Sequence, residues 1–338
     1  MATRIVGISG YLPRKVETNE DLAREQPSWD LAKIGEKTGI LARHIAAADE
    51  TACDLGYEAA AKLLQRQLVP AGEIDYLIFS TQTPDHFVPP NACLLQQRLK
   101  LSTGIGAVDI SPGCAGFVLG LHLAKGLVES RAARNVLLVT AETYSKLIHP
   151  ADRTVRTLFG DGAAATLIGA CDGKGGGLGE FVIGTDGSGA ASLIVPSGGF
   201  RMPRSAATGT EHADAQGSVR SQDHLFMDGQ AVFAFTLNTV PRALDKVLQK
   251  SGLTRDQVDW YVFHQANKYM LDMLAKGGKI PNEKMTFHLA EVGNTVSSSI
   301  PLTLEAYAES GRIRAGQKLV LAGFGVGFAW ALCTLTWG

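Results

Sequence analysis

Apolar runs rich in Val, Ile and Leu alternate with longer segments of helical character along the first half of the chain. Strands are predicted at 5–9, 75–81, 105–110, 135–141 and 163–169, and helices at 51–68, 91–99 and 115–130. This alternation is typical of a mixed α/β fold in which helices pack on the faces of sheets.

Three segments of the first half recur in the second half at nearly one offset. EIDYLIFSTQ (73–82) matches QVDWYVFHQA (257–266), SPGCAGFVLGL (111–121) matches NTVSSSIPLTL (294–304), and RNVLLVTAE (134–142) matches QKLVLAGFG (317–325). We therefore predict two copies of one α/β unit. The N-terminal half spans 1–172 and the C-terminal half 173–338, with the junction in a Gly-rich turn at 172–177.

Two stretches need separate interpretation. Residues 319–338 carry no charge and reach the length of a membrane span, but glycines interrupt them, so two buried strands are predicted and no membrane span. Residues 196–224 contain almost no large apolar side chains and form the longest unpatterned stretch. Such a long loop is either disordered or a lid over a site.

Composition narrows the class of protein. The chain has 338 residues and a net charge of -1, which does not suit a nucleic-acid-binding protein. The N-terminus resembles a strand and not a leader peptide, so a cytoplasmic protein is expected. Five cysteines without C-x-x-C spacing suggest neither a disulfide framework nor a metal site. Phosphate-binding glycine motifs at strand-to-helix junctions are absent, and no cofactor is expected.

Cys114 is the strongest candidate for chemistry. It follows a strand and a tight turn at 111–113 and precedes a helix, so its sulfur is expected at a helix N-terminus. Because the N–H groups there favour a thiolate, we expect a lowered pKa and a nucleophilic sulfur. The alternative is a small buried cysteine that serves only packing.

Other candidates lie in the second half. His264 follows a strand at the edge where open α/β sheets gather ligands, and Asn294 begins the counterpart of the Cys114 loop. The turn at 325–327 offers the backbone N–H of Val326 to an oxyanion. Each also fits an ordinary structural role: a core histidine, a turn asparagine and a tight hairpin.

These motifs together resemble a known family. DISPGCAGF (109–117), FGDGAAA (159–165), HQAN (264–267), GNTVSSSIP (293–301) and GFGVGFAW (323–330) are similar to the signatures of β-ketoacyl-[acyl carrier protein] synthase III enzymes. The resemblance implies the thiolase fold, two duplicated α/β halves packed as an αβαβα layered structure. It also implies that Cys114 is acylated, that His264 and Asn294 bind the thioester oxygen of a decarboxylating malonyl unit, and that the N–H groups of Cys114 and Val326 form the oxyanion hole.

The resemblance further implies an acyl donor on coenzyme A or on acyl carrier protein, a malonyl thioester and a homodimer. Lys37, Arg153 and Asn267 fall at family positions that bind substrate, although a family Trp is replaced by Lys33 and Trp29 lies upstream. Val88 stands where the family often has a bulky Phe that crosses the dimer interface and limits the acyl pocket, so primers longer than acetyl are expected. Val292 replaces a family His, with no derivable consequence.

Three functions suit this set of residues. The first is decarboxylative condensation of an acyl thioester with a malonyl thioester, in fatty-acid initiation or specialised metabolism. The second is acyl transfer from Cys114 to a hydroxyl or amine, and the third is the silent subunit of a heterodimeric synthase. Asn294 has an evident task only in decarboxylation. For the homodimer, the strand at 135–142, which carries no charge from Val136 to Ala141, is interpreted as an exposed edge that a partner covers.

Overall fold

The computed structural model describes residues 2–172 and 176–338. In the first half the elements are β1 (Ala2–Tyr11), β2 (Lys15–Thr18), α1 (Asn19–Glu25), α2 (Leu31–Thr38), β3 (Ala42–Ile45), α3 (Ala52–Gln65), β4 (Tyr76–Ser80), α4 (Asn91–Arg98), β5 (Gly106–Ile110), α5 (Gly116–Glu129), β6 (Asn135–Glu142), α6 (Arg153–Arg156) and β7 (Gly162–Cys171). In the second half they are β8 (Gly177–Thr185), β9 (Leu193–Ile194), β10 (His212–Ala213), β11 (Val219–Arg220), β12 (Phe226–Met227), α7 (Gly229–Ser251), β13 (Trp260–Phe263), α8 (Lys268–Gly278), α9 (Ser299–Glu309), β14 (Lys318–Gly325) and β15 (Ala329–Thr336).

Two sheets form the framework and share one pattern. The first has the order β1-β7-β6-β4-β5 and the second the order β13-β14-β15-β8. In the first sheet β4 runs parallel to β5 and β6, whereas β7 is antiparallel to β6 and β1. In the second, β13 runs parallel to β14, and β15 is antiparallel to β14 and β8.

The duplicated α/β unit expected from the sequence is present. Strands β6 and β14 begin 183 residues apart and are both eight residues long. The 3-10 turn Gly113–Ala115 with α5 corresponds, at the same offset, to the 3-10 turn Val296–Ser298 with α9. The two loops that carry Cys114 and Asn294 are therefore equivalent positions of the two copies.

The layers follow from which faces are apolar. Helices α5 and α9 lie between the sheets, where Val118 and Leu304 share one buried cluster with Leu138 of β6 and Leu321 of β14. A second cluster joins α7 and α8 to the outer face of the second sheet, and a third joins α3 and α4 to the first. Burying one Val or Leu side chain contributes about 1.5–3 kcal/mol. The many such side chains in the central layer therefore hold the two halves against each other.

Two sequence predictions can be compared with this framework. Residues 319–338 fall largely in the paired strands β14 and β15, as expected. In the described residues, no helix is long and apolar enough to cross a membrane. The predicted junction at 172–173 falls partly outside the described residues, and the division into halves at that point stays a prediction.

The interpretation of residues 135–142 as an exposed edge is wrong. This segment is β6, which lies between β7 and β4, and its residues 136–141 carry no charge because both faces of the strand are covered. The edges of the sheet are β1 and β5, and β5 is paired only with β4 in the described ranges.

Candidate active site

The turn that carries Cys114 connects β5 to α5. Cys114 occupies the centre of the 3-10 turn Gly113–Ala115 and is buried. Gly113 has a φ of 58°, and a Cβ there would lie 2.2 Å from Cγ1 of Val326. Only glycine fits both the backbone conformation and the space, so the turn brings Cys114 against the β14–β15 connection.

The expectation of a lowered thiol pKa is wrong. Burial raises the pKa of Cys114 to about 12, and the Glu142 carboxyl acts in the same direction. Backbone N–H groups of Val326 and of Cys114 itself hydrogen-bond to the sulfur and act in the opposite direction. The helix end is where the sequence indicates, but loss of hydration outweighs it and the resting thiol is neutral.

His264 lies where β13 ends, deep in the structure. Its backbone N–H donates to the carbonyl of Ala322, and its Nδ1 is 2.7 Å from the hydroxyl of Ser299 on α9. The ring packs edge-on against Phe324. Burial lowers the pKa of His264 to about 3, so the imidazole is neutral. With Nδ1 engaged by Ser299, Nε2 is the ring nitrogen available to a substrate.

Asn294 is held from both sides. Its backbone N–H donates to the carbonyl of Leu158, and its own carbonyl accepts from the N–H of Gly160. The side-chain Oδ1 accepts from the N–H of Val296 at 2.9 Å. Because Oδ1 is occupied, the amide nitrogen is the atom that this side chain offers to a substrate oxygen.

These three side chains line one cavity of about 850 Å³. Lys37, Arg153 and Asn267 line it too, and their role as substrate-binding residues stays a prediction. Val88 does not: its side chain is 82% exposed and lies outside this cavity.

The segment 196–224 takes part in the cavity, which favours the lid interpretation over disorder. Its residues Asp214, Gln216 and Arg220 are among the lining side chains. Arg220 forms salt bridges with Asp152 and Asp214, and the carbonyl of Gln216 accepts a hydrogen bond from Arg153. Arg220 therefore adds a third cation, beside Lys37 and Arg153, that the sequence did not single out.

Three further residues beside the site were also missed. Glu142 is fully buried, and burial raises its pKa to about 8 although Gln82, Thr81, Thr83 and Ser297 donate hydrogen bonds to its carboxyl. Tyr144 lies in the same buried cluster as Cys114, and Ser299 contacts His264. These three residues contact partners that are distant in the sequence, and no local motif predicts such contacts.

Two α/β halves that present a thiol, an imidazole and a carboxamide to one cavity have the architecture of the thiolase fold. The family model "3-oxoacyl-[acyl-carrier-protein (ACP)] synthase III" matches residues 108–187, and its C-terminal companion matches 248–337.

Individual relatives agree over the whole chain. The β-ketoacyl-[acyl-carrier-protein] synthase III of Caldanaerobacter subterraneus is 36% identical over 337 residues, covering 100% of this chain and 98% of the relative. A crystal structure of a 3-oxoacyl-(acyl-carrier-protein) synthase III superposes with a TM-score of 0.97 at 50% identity, covering 100% of both chains. The priming β-ketosynthase of the R1128 polyketide pathway superposes with a TM-score of 0.85 at 31% identity, covering 99% of this chain and 96% of the other.

The chain belongs to the β-ketoacyl-[acyl carrier protein] synthase III family. The thiolase fold predicted from the sequence motifs is confirmed. The individual roles of Cys114, His264, Asn294 and Val326 stay predictions.

Proposed function

We propose that this enzyme condenses an acyl thioester with a malonyl thioester, in fatty-acid initiation or in priming a specialised metabolite. Cys114 attacks the primer carbonyl, the carrier thiol leaves with the thiol's proton, and an acyl-cysteine remains. Malonyl thioester then loses carbon dioxide, and the resulting enolate carbon attacks the acyl-cysteine carbonyl. The Cys114 sulfur departs as a thiolate and takes up a proton from water, and a β-ketoacyl thioester is released.

One observation carries this proposal: the nucleophile of the first half and the His264–Asn294 pair of the second line the same cavity. In the proposed reaction, His264 Nε2 and the Asn294 amide donate to the malonyl thioester oxygen as the enolate forms. Both groups are neutral donors, so they stabilise charge that develops only in the transition state. The N–H groups that hydrogen-bond to Cys114 would serve the acyl-cysteine oxygen.

The thioester carrier is proposed to be coenzyme A or an acyl carrier protein, both of which present phosphate on a pantetheine arm. Lys37, Arg153 and Arg220 supply cations along the cavity that suit phosphate oxygens. Trp29 is buried against Leu22 and Leu31, away from this cavity, so adenine stacking on Trp29 is not part of the proposal. A carrier protein is therefore proposed as a donor beside coenzyme A. We also propose a cytoplasmic location.

We also propose a homodimer, joined along β5. That strand is one of the two edges of the five-stranded sheet, and Val108 on it is partly exposed. Phe87 and Phe200 form an exposed ring pair 5.7 Å apart beside the exposed Val88. An open strand edge and a neighbouring apolar patch both favour a partner. A monomer by light scattering at micromolar concentration contradicts the homodimer.

Intact-mass measurement after incubation with a panel of acyl thioesters tests the first step. Wild type is expected to gain one acyl group, and Cys114→Ala none. Cys93→Ala removes an exposed free thiol and is the matched control, which should acylate normally. Mass addition that persists in Cys114→Ala removes Cys114 from the role.

Release of carbon dioxide from malonyl thioester tests the second step. His264→Ala and Asn294→Ala should each accept an acyl group, because neither side chain is the nucleophile. Each should slow decarboxylation by about 10²–10³, the typical loss for one oxyanion donor. If both variants decarboxylate at the wild-type rate, the condensing reaction is wrong and simple acyl transfer replaces it.

A further inference from the structure

A buried carboxyl joins the two halves of the molecule beside the nucleophile, and the proposed reaction gives it no task. Glu142 is the last residue of β6 and is fully buried. Its Oε2 accepts a hydrogen bond from the backbone N–H of Gln82, and its Oε1 accepts one from the hydroxyl of Ser297, both at 2.9 Å. Gln82 follows β4 of the first sheet, whereas Ser297 precedes α9 of the other half. Glu142 does not line the cavity, so it acts on the reaction only through the residues that it holds.

Both residues that donate to this carboxyl also pack against the turn that carries Cys114. A Cβ added to Gly113 would lie 2.6 Å from Oε1 of Gln82. A Cβ added to Gly116 would lie 3.2 Å from the Cβ of Ser297. These two glycines stand before and after Cys114, so one carboxyl holds the neighbours of the turn on both sides of the nucleophile in the sequence.

Ser297 also belongs to the loop that positions the other two site residues. It lies in the 3-10 turn Val296–Ser298, whose first N–H donates to Oδ1 of Asn294. The residue after this turn, Ser299, contacts Nδ1 of His264. Carbon–carbon bond formation requires the enolate carbon to come within about 3–3.5 Å of the acyl-cysteine carbonyl. Through Ser297, the buried carboxyl therefore connects the place where the enolate forms to the place where it must react.

We propose that Glu142 is a positioning residue that sets the spacing between Cys114 and the His264–Asn294 pair. This role rests on the proposed function, in which the enolate formed by loss of carbon dioxide attacks the acyl-cysteine. When the spacing is lost, the malonyl thioester still releases carbon dioxide, but the enolate carbon takes a proton from water. The products are then an acetyl thioester and hydroxide, and the acyl group stays on Cys114. Glu142 thus couples decarboxylation to carbon–carbon bond formation.

The test is the amount of β-ketoacyl product per carbon dioxide released, with acetyl-coenzyme A as primer and malonyl-acyl carrier protein labelled in its free carboxyl. Wild type should form the two in equal amounts. Since a misplacement of about 1 Å costs about 10² in rate, this ratio should fall roughly tenfold or more in Glu142→Ala. Acylation should persist, because the contact of Gly325 with the Cys114 sulfur is untouched. Loss of folded protein lowers product and carbon dioxide alike, so a merely structural defect leaves the ratio unchanged.

Glu142→Gln should rescue the coupling. Its amide oxygen can accept from the N–H of Gln82 while its amide nitrogen donates to the hydroxyl of Ser297, so both contacts remain. Burial raises the pKa of Glu142 to about 8, and a neutral side chain of the same shape therefore suits this place. The ratio should stay within about threefold of wild type. A fall in Glu142→Gln as large as in Glu142→Ala would show that charge and not position matters, and overturns the proposal.

Ser297→Ala breaks the same contact from the other half and decides the question if Glu142→Ala does not fold. Its ratio should fall by about three- to tenfold, as for one lost buried hydrogen bond. Ser145→Ala is the matched control, because the Ser145 hydroxyl donates to the buried carboxyl of Asp161, a partner within its own half. An unchanged ratio in the folded Glu142 and Ser297 variants, or an equal fall in Ser145→Ala, overturns the proposal. Wild-type release of carbon dioxide without β-ketoacyl product instead overturns the proposed function.

Discussion

Gly323 on β14 packs directly against the turn that carries the nucleophile. A Cβ added there would lie 2.8 Å from the Cα of Ala115 and 2.8 Å from the carbonyl oxygen of Cys114. Both atoms belong to the backbone, so no side chain can rotate to relieve the contact. Ordinary contacts begin at 3.4 Å, and the turn in Gly323→Ala must therefore retreat by about 0.6 Å.

That displacement has two expected costs. Overpacking a core position typically destabilises a protein by about 1–3 kcal/mol, and we expect this range for Gly323→Ala. Misplacing reacting groups by about 1 Å costs about 10² in rate, so a shift of about 0.6 Å should slow Cys114 acylation roughly tenfold. The acylation rate falls because the sulfur moves relative to the Val326 N–H that faces it.

Acylation is followed by intact mass with a saturating donor, and stability by urea unfolding. Gly126→Ala is the matched control, since Gly126 lies near the C-terminal end of α5, the helix that follows the same turn, and an added Cβ there meets nothing within 4 Å. It should acylate at the wild-type rate and gain about 0.5–1 kcal/mol from better helix propensity. Wild-type acylation by a folded Gly323→Ala would refute the idea that this contact sets the position of the nucleophile.

Two further predictions concern His264. Ser299→Ala removes the hydroxyl beside Nδ1, and decarboxylation should fall about tenfold, as for one lost buried hydrogen bond, while Cys114 acylation persists. Unchanged decarboxylation would exclude Ser299 as a positioning residue. Burial lowers the pKa of His264 from 6.5 to about 3, so between these values the unfolded chain binds a proton that the folded chain does not. Folding stability should therefore decrease as the pH falls through this window, by about 1.4 kcal/mol per pH unit, and urea unfolding of His264→Gln should lack this contribution. Parallel pH profiles of stability for wild type and variant would contradict the assignment.

The fold could be predicted from the sequence because the duplicated unit repeats in short segments with a strong pattern of apolar residues. The match of 134–142 to 317–325 identified β6 and β14, whose positions in the two sheets are equivalent. The prediction that failed concerned the position of one strand within its sheet. Residues 136–141 carry no charge, a pattern that an edge strand and a central strand can share, and only the pairing of β6 with β4 and β7 decides between the two positions.

At the site, the residues in local motifs could be predicted from the sequence. The residues that come together only through packing of distant segments could not. A helix N-terminus next to Cys114 is a local feature, so its position could be predicted. The burial that raises the thiol pKa is not local, and the predicted direction was wrong. Glu142 and Ser297, likewise, are 155 residues apart in the chain and become partners only when the two halves meet.

The duplication also shows how the surroundings of Cys114 differ from those of the equivalent place in the other copy. Cys114 and Ser297 occupy the same position in the two copies, 183 residues apart, as do Glu142 and Gly325. Ser297 donates to the carboxyl of Glu142, and a Cβ on Gly325 would lie 2.9 Å from the sulfur of Cys114. Each turn thus packs on the end of a strand from the other half. Ser297 meets Glu142 through a hydrogen bond, whereas Cys114 meets the glycine at position 325.

The next position along each turn repeats this contrast. Ser298 donates a hydrogen bond to the hydroxyl of Thr140, whereas their counterparts Ala115 and Gly323 meet with only backbone and small side chains between them. The side chains of Ser298 and Thr140 fill the hydrogen-bonded contact, and this contact holds the two halves in register. The glycine contact leaves the nucleophile room to carry a substrate, because Gly323 and Gly325 contribute no atoms beyond the backbone. Adding a methyl group at Gly323 therefore alters the one copy of the contact that must stay open.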